Sequence, residues 1–103
     1  MEHDLNLYQR HLEVERNLSP HTVNAYLRDL RQFCTFIEKV HGTSVDVVKL
    51  AHVDVLMLRR FLAILQKSCQ RSSIVRKLSS LKAFYRYLER RGVIDSSPIA
   101  VVM

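Results

Sequence analysis

Apolar residues recur at intervals of three and four along most of the chain, which is the spacing of one face of an α-helix. The longest such stripe predicts a helix over 20–41 and comprises Val23, Tyr26, Leu27, Leu30, Phe33, Cys34 and Ile37. The same spacing predicts three further helices, over residues 2–17, 52–67 and 72–91. Apart from a few residues near 45–48, no segment alternates in the manner of a β-strand. The pattern therefore predicts an all-α domain built from four helices.

The segments between and after these helices are short. Residues 43–51 are predicted to form a connector, with Val45, Val48 and Leu50 tucked beneath it. Gly42 and Gly92 directly follow predicted helices and are expected to cap their C-termini. Residues 93–103 are predicted to leave the domain as a departing segment.

Two of the predicted helices begin without an acidic residue. In LSPHTVNAYLRDLRQF, residues 18–33, Ser19 is the expected N-cap, and Thr22 stands where a capping box would place Glu or Gln. The last helix is expected to begin at Ser72 or Ser73, again with no acid in its first turn. Free backbone N–H groups and the helix dipole favour an anion at such positions. The two helix starts are therefore candidate phosphate contacts.

The basic charge is concentrated in the last predicted helix. The chain has 103 residues, enough for one domain, and a formal charge of +6. Residues 71–91 carry a net +6 and residues 49–67 a net +3, whereas residues 1–17 carry a net −2. This distribution favours a polyanionic partner. A basic helix face also serves solubility alone, so composition leaves both interpretations open.

Other classes of site have little support in the sequence. Cys34 and Cys69 are the only cysteines, and neither has a Cys or His at ligand spacing, so we expect no metal and no other cofactor. Two thiols without a secretory leader suggest a reducing compartment, and we expect a cytoplasmic protein. No apolar run approaches the length of a membrane span, and we expect no membrane partner and no small-molecule ligand.

Two blocks of the sequence resemble the N-terminal core-binding domain of tyrosine recombinases of the phage-integrase and Xer type. The first block is LSPHTVNAYLRDLRQFCTF, in which the family pattern is matched by Leu18, Ser19, Thr22, Tyr26, Asp29, Leu30 and Phe33. The second is SSIVRKLSSLKAFYRYLERRGVIDSSP, in which it is matched by Ile74, Arg76, Lys77, Leu78, Ser79, Leu81, Phe84, Tyr85, Tyr87 and Leu88. Three positions depart mildly from the pattern: Ser73 for Thr, Lys82 for Arg, and Ser97-Pro98 for Asn-Pro.

The resemblance implies an orthogonal, SAM-like four-helix bundle that forms one half of a clamp around duplex DNA. It implies that the second and fourth helices cross the major groove, and that a separate domain carries the tyrosine nucleophile. On this reading residues 1–92 are the DNA-clamp domain, residues 93–103 begin an interdomain linker, and the catalytic domain is absent. The chain alone is then expected to have no strand-cleaving activity.

The resemblance and the helix starts together give a set of candidate DNA contacts: Ser19, His21, Thr22, Asn24, Arg28, Ser72, Ser73, Arg76, Lys77 and Lys82. The Asn24 carboxamide suits the edge of an adenine, and Arg76 suits a guanine or a phosphate. The others are expected to contact phosphates, which position a protein without reading sequence. The four tyrosines have apolar neighbours at helical spacing, so packing is expected of them rather than nucleophilic chemistry: Tyr8, Tyr26, Tyr85 and Tyr87.

Two other functions stay open at this point. The basic face suits an acidic protein partner, which would make the chain a helical protein–protein interaction module. The family resemblance itself implies contacts with other recombinase protomers in a tetramer on DNA. A helix-turn-helix regulator is less well supported, because no short glycine-containing turn joins two helices of suitable length.

Overall fold

The structure is a computed structural model that describes residues 1–101. It contains five α-helices and a short C-terminal turn: α1 (Glu2–Arg10), α2 (Pro20–His41), α3 (Val47–Ala51), α4 (Val55–Ser68), α5 (Arg71–Arg90) and a 3-10 turn (Pro98–Val101). No strand occurs within residues 1–101, so the prediction of an all-α fold is confirmed. No helix within those residues is both long and apolar enough to cross a bilayer.

The first predicted helix changes its hydrogen bonding part of the way along. It is α-helical to Arg10 and continues as one π-helical turn, His11–Glu15, in which the Arg16 N–H donates to the His11 carbonyl at 3.0 Å. Asn17 then adopts a left-handed conformation, with φ of 50°. The chain thereby reverses into α2 within a few residues while Leu12 stays fully buried.

The predicted connector contains a helix that the sequence pattern did not reveal. Asp46 caps α3 by accepting a hydrogen bond from the Lys49 N–H at 2.8 Å. Val45 and Leu50 are buried as predicted, but the prediction for Val48 is wrong because its side chain is 61% exposed. The part of the chain that the structure describes thus has five α-helices instead of the four predicted, and the additional one is this short capped helix.

The start of the last helix also differs from the prediction. α5 begins at Arg71 with Gln70 as its N-cap residue, so Ser72 and Ser73 lie inside the first turn and neither is the cap. By contrast, α4 begins after Asp54, whose carboxylate accepts from the Met57 N–H at 2.8 Å. The α5 start therefore has no side-chain cap.

α2 and α5 form the most extensive helix pair of the bundle. Their inner faces, with those of α1 and α4, enclose a core whose fully buried members include Phe33, Ile37, Leu65, Leu81 and Phe84. The sulfur of Cys34 packs in this core as predicted.

The C-terminal turn returns to the bundle, so the prediction that the segment after Gly92 leaves the domain is wrong for this turn. Ile99 is fully buried, and the turn Pro98–Val101 packs against α4 and α5. The assignment of residues 93–103 to an interdomain linker stays a prediction, and residues 102 and 103 lie outside the described part of the chain.

Candidate nucleic-acid interface

The start of α2 is capped by two hydroxyl side chains. Ser19 is the N-cap, as predicted, and its Oγ accepts from the Thr22 N–H at 3.2 Å. The Ser19 hydroxyl in turn donates to Thr22 Oγ1 at 3.0 Å. Pro20 has no N–H, and the Val23 N–H donates to the Ser19 carbonyl. The first turn thus satisfies much of its own hydrogen bonding without a carboxylate, which leaves its dipole uncompensated.

The start of α5 has the same lack of acid but a different geometry. No side chain caps its first turn, and the first carbonyl to accept a helical bond is that of Gln70, from the Ile74 N–H at 3.1 Å. Ser72 is exposed, whereas Ser73 is partly covered. The N–H groups of this turn are therefore more open to an outside acceptor than those of α2.

The polar residues beyond these starts lie on the outer faces of both helices. His21, Asn24 and Arg28 are exposed at spacings of three and four along α2, which places them on one face. Ser72 and Arg76 share a face of α5 in the same way. These predicted contacts are consequently accessible to solvent.

A buried carboxylate joins α2 to α5 beside these faces. The Asp29 side chain is fully buried, and its Oδ1 accepts from Arg76 Nη2 at 3.2 Å and from Lys77 Nζ at 3.1 Å. Its Oδ2 accepts from the Ser80 hydroxyl at 3.0 Å. Lys77 also donates to Gln32 Oε1 at 2.6 Å. The carboxylate thus fixes the position of two of the predicted DNA contacts.

Sequence reasoning did not assign a role at the site to Asp29 or Ser80. A signal existed for Asp29, because it is an acid within the apolar stripe of α2, three residues after Tyr26 and four before Phe33. An ionisable residue on a buried face needs a partner. The sequence could not say that the partners lie on α5, almost fifty residues away.

Lys82 is not brought together with the other candidate contacts. It lines a cavity of about 130 Å³ with Arg86, Glu89, Ser97 and Ala100, next to the C-terminal turn. On α5 it stands six residues from Arg76, which at 100° per residue turns it about 120° away from that side chain. Lys82 therefore lies on a different flank of α5.

The four tyrosines pack in or against the core: three are buried, and Tyr26 is partly buried. Tyr8, Tyr85 and Tyr87 are buried, and the Tyr85 hydroxyl donates to the Leu50 carbonyl at 2.6 Å. Burial raises the pKa of Tyr8 and of Tyr85 above the ordinary value, which disfavours the phenolate. Burial likewise raises the pKa of Cys34 to about 11. These side chains fill the core, as the sequence predicts.

Comparison with known proteins identifies what the chain resembles. Residues 5–92 match the family model for the phage integrase, N-terminal SAM-like domain. The chain is 44% identical over 98 residues to tyrosine recombinase XerC of Pelobacter propionicus, covering 95% of this chain and 32% of that protein. It is 46% identical over 96 residues to tyrosine recombinase XerC of Lacticaseibacillus casei, covering 92% and 31%. The chain thus spans about a third of the length of these curated relatives. No solved structure matches it.

Proposed function

The chain belongs to the phage-integrase N-terminal SAM-like domain family, and on that premise we propose that it is the DNA-clamping domain of a site-specific tyrosine recombinase. In this role it lies on the major groove of a recombination half-site and contributes to DNA recombination or integration. The curated relatives are named tyrosine recombinases. The present chain matches only the part of them that the SAM-like domain represents.

The junction of α2 and α5 is the observation that carries the proposal. Both helices begin without an acid, and both expose polar and basic side chains next to the contact that Asp29 makes with Arg76. A duplex lying across this junction would meet two positive helix ends and the most basic helix of the chain.

The exposed side chains suggest two kinds of DNA contact: some would recognise base edges, and others would bind phosphates and so position the domain. Asn24 and Arg76 are proposed to reach base edges, because a carboxamide pairs with adenine and a guanidinium with guanine. Phosphate contacts are proposed for the remaining accessible residues, which are Ser19, His21, Thr22, Arg28, Ser72 and Ser73. Lys82 would add a phosphate contact only if the duplex extends to its flank of α5.

The chemistry of strand exchange is proposed to reside in a separate catalytic domain of the parent protein. Burial raises the pKa of Tyr8 and of Tyr85, which does not suit a nucleophile, and this chain is proposed to bind DNA without cleaving it. The parent is proposed to act with other recombinase protomers, arranged as a tetramer on two DNA sites.

A titration of the 103-residue chain against a 30-base-pair duplex tests the proposal. We expect binding that weakens steeply between about 50 and 200 mM KCl, because each neutralised phosphate contributes roughly 0.9 to the slope of log K against log salt. Amide shift changes are expected at residues 19–28 and 72–76. Lys67→Met, on the exposed outer part of α4, is the control and should bind as the unaltered chain does.

Two results would contradict the proposal. One is undetectable binding to the duplex at 50 mM KCl. The other is a set of shift changes confined to residues 2–15 and obtained with an added acidic protein instead of DNA. That second result would favour a protein–protein interaction module.

A further inference from the structure

The two cations that share Asp29 stand in different surroundings, and we propose that they have different tasks. Arg76 is a DNA ligand, whereas Lys77 is a positioning residue that neutralises Asp29 and so keeps the charge of Arg76 available to DNA. This inference rests on the proposed function and assigns separate roles to two neighbouring basic residues within it.

Lys77 is committed to partners inside the protein. Its side chain is 13% exposed, and its ammonium donates both to Asp29 Oδ1 at 3.1 Å and to Gln32 Oε1 at 2.6 Å. Two of its three N–H donors are therefore in use. The ammonium is largely covered, and moving it outward to a phosphate would take one counter-ion away from a fully buried carboxylate, which is costly.

Arg76 donates to the same carboxylate but keeps most of its hydrogen-bond donors free. Its side chain is 42% exposed, and only Nη2 donates to Asp29 Oδ1, at 3.2 Å. A guanidinium carries five N–H donors in a planar fork that suits phosphate or the edge of guanine. Most of these donors stay available, while the bond to Asp29 restricts the directions in which they point.

The charges of the cluster explain why Lys77 matters to DNA without touching it. One carboxylate and two cations leave a net +1 beside the proposed DNA surface. Removing Lys77 alone leaves Asp29 paired with Arg76, so the two charges cancel and the cluster loses its attraction for phosphate. Removing the charges of Asp29 and Lys77 together restores the net +1, now carried by Arg76 alone.

Three variants and a control separate this role from direct contact by Lys77. Lys77→Met, Arg76→Met and the double variant Asp29→Asn/Lys77→Met are compared with Lys67→Met and with the unaltered chain. Each is titrated against a 30-base-pair duplex over a series of KCl concentrations, and each is checked by thermal unfolding. The double variant removes a buried ion pair as a unit, a change that proteins often tolerate.

We expect both single variants to lower the salt slope by about 0.9, the value of one phosphate contact. Lys77→Met should also lower the melting temperature, because it removes the hydrogen bonds that a mostly buried ammonium donates to Asp29 and Gln32. Arg76→Met should lower it less, because the Arg76 side chain is 42% exposed and donates one hydrogen bond to Asp29. The double variant should return the salt slope to that of the unaltered chain and the affinity to within about twofold of it. That rescue is the result that a direct contact cannot produce.

A double variant whose salt slope stays about 0.9 below that of the unaltered chain would overturn the inference, because Lys77 would then contact phosphate itself. A slope for Lys77→Met equal to that of the unaltered chain would overturn it as well. Neither result affects the proposed function, which is contradicted by undetectable binding of the unaltered chain to the duplex at 50 mM KCl or by shift changes confined to residues 2–15 with an added acidic protein. In that case the role of Arg76 fails with it.

Discussion

Two carboxylates connect neighbouring helices to α2, one in solvent and one in the interior. Glu2 of α1 accepts two hydrogen bonds from Arg31, at 2.7 and 3.3 Å, and both side chains are more than half exposed. Asp29 accepts from Arg76 and Lys77 at 3.2 and 3.1 Å and is fully buried. The pair with the shorter distance is therefore the one surrounded by water.

Burial is expected to matter more than distance for the cost of breaking these two ion pairs. Water screens the Glu2–Arg31 pair, and two long side chains lose freedom to form it, so such pairs contribute little. The Asp29 carboxylate is not exposed to solvent, so removing its partners leaves an uncompensated charge in the core. We therefore expect that breaking the buried pair costs far more stability than breaking the exposed pair.

Replacing each carboxylate by Ala should give the largest contrast. Asp29→Ala removes the charge that holds Arg76 and Lys77 and also the acceptor of the Ser80 hydroxyl, so we expect a loss of about 3 kcal/mol in the free energy of unfolding. Glu2→Ala is the matched control, and its effect should be much smaller. Urea unfolding followed by circular dichroism measures both.

The expectation that Asp29→Ala is more destabilising than Glu2→Ala would be contradicted if both variants unfolded at the same urea concentration. That outcome would mean that Arg76 and Lys77 become solvated as readily as Arg31 once the carboxylate is removed. It would also mean that Asp29 does not stabilise the α2–α5 junction.

A carboxylate introduced at the start of α2 by Thr22→Glu sharpens the comparison at the proposed DNA surface. Glu at this position can complete the capping box with Ser19, so we expect a gain of roughly 0.5–1 kcal/mol in stability. The same charge would repel phosphates and compete for the N–H groups of the first turn. We therefore expect an unchanged or higher melting temperature together with weaker DNA binding.

Thr35→Glu, an exposed position farther along the same helix, provides the matched charge control and should weaken binding less. If Thr22→Glu stabilised the chain and bound DNA as tightly as the unaltered chain at low salt, the start of α2 would not face DNA.

The smallest expected effect is the pH dependence of the exposed pair. The hydrogen bonds and charge of Arg31 lower the pKa of Glu2 below its ordinary value of 4.5. A carboxyl with a lower pKa in the folded state adds stability above its unfolded pKa and loses it as pH falls through the folded value. Stability measured from pH 6 down to pH 3 should thus fall slightly less for Glu2→Gln than for the unaltered chain.

The same comparison repeated in 1 M NaCl should show no difference between Glu2→Gln and the unaltered chain, because the salt screens an exposed pair. A difference that persisted at high salt would place Glu2 in the same class as Asp29.

Much of the fold is determined by the sequence alone, because it depends on local spacing. The apolar stripe of α2, its Ser19 cap and its Gly42 terminus, where φ is 73°, are all readable from neighbouring residues. Local reasoning failed at α3, since a five-residue helix is too short to show a period. Its stability comes from burial of Leu50 and from the bond that the Leu50 carbonyl accepts from Tyr85.

Only the tertiary structure decided which of the candidate site residues act together. Arg76 and Lys77 are adjacent and both positively charged, and although Lys77 falls within the apolar stripe of the helix, the sequence does not show which residue it would contact. Consecutive helical residues point about 100° apart, and packing of α5 on α2 turns Lys77 into the junction while Arg76 stays at its edge. Asp29 contacts both cations because the fold brings together positions that are 47 and 48 residues apart in the chain. The buried carboxylate then accepts hydrogen bonds from both of them.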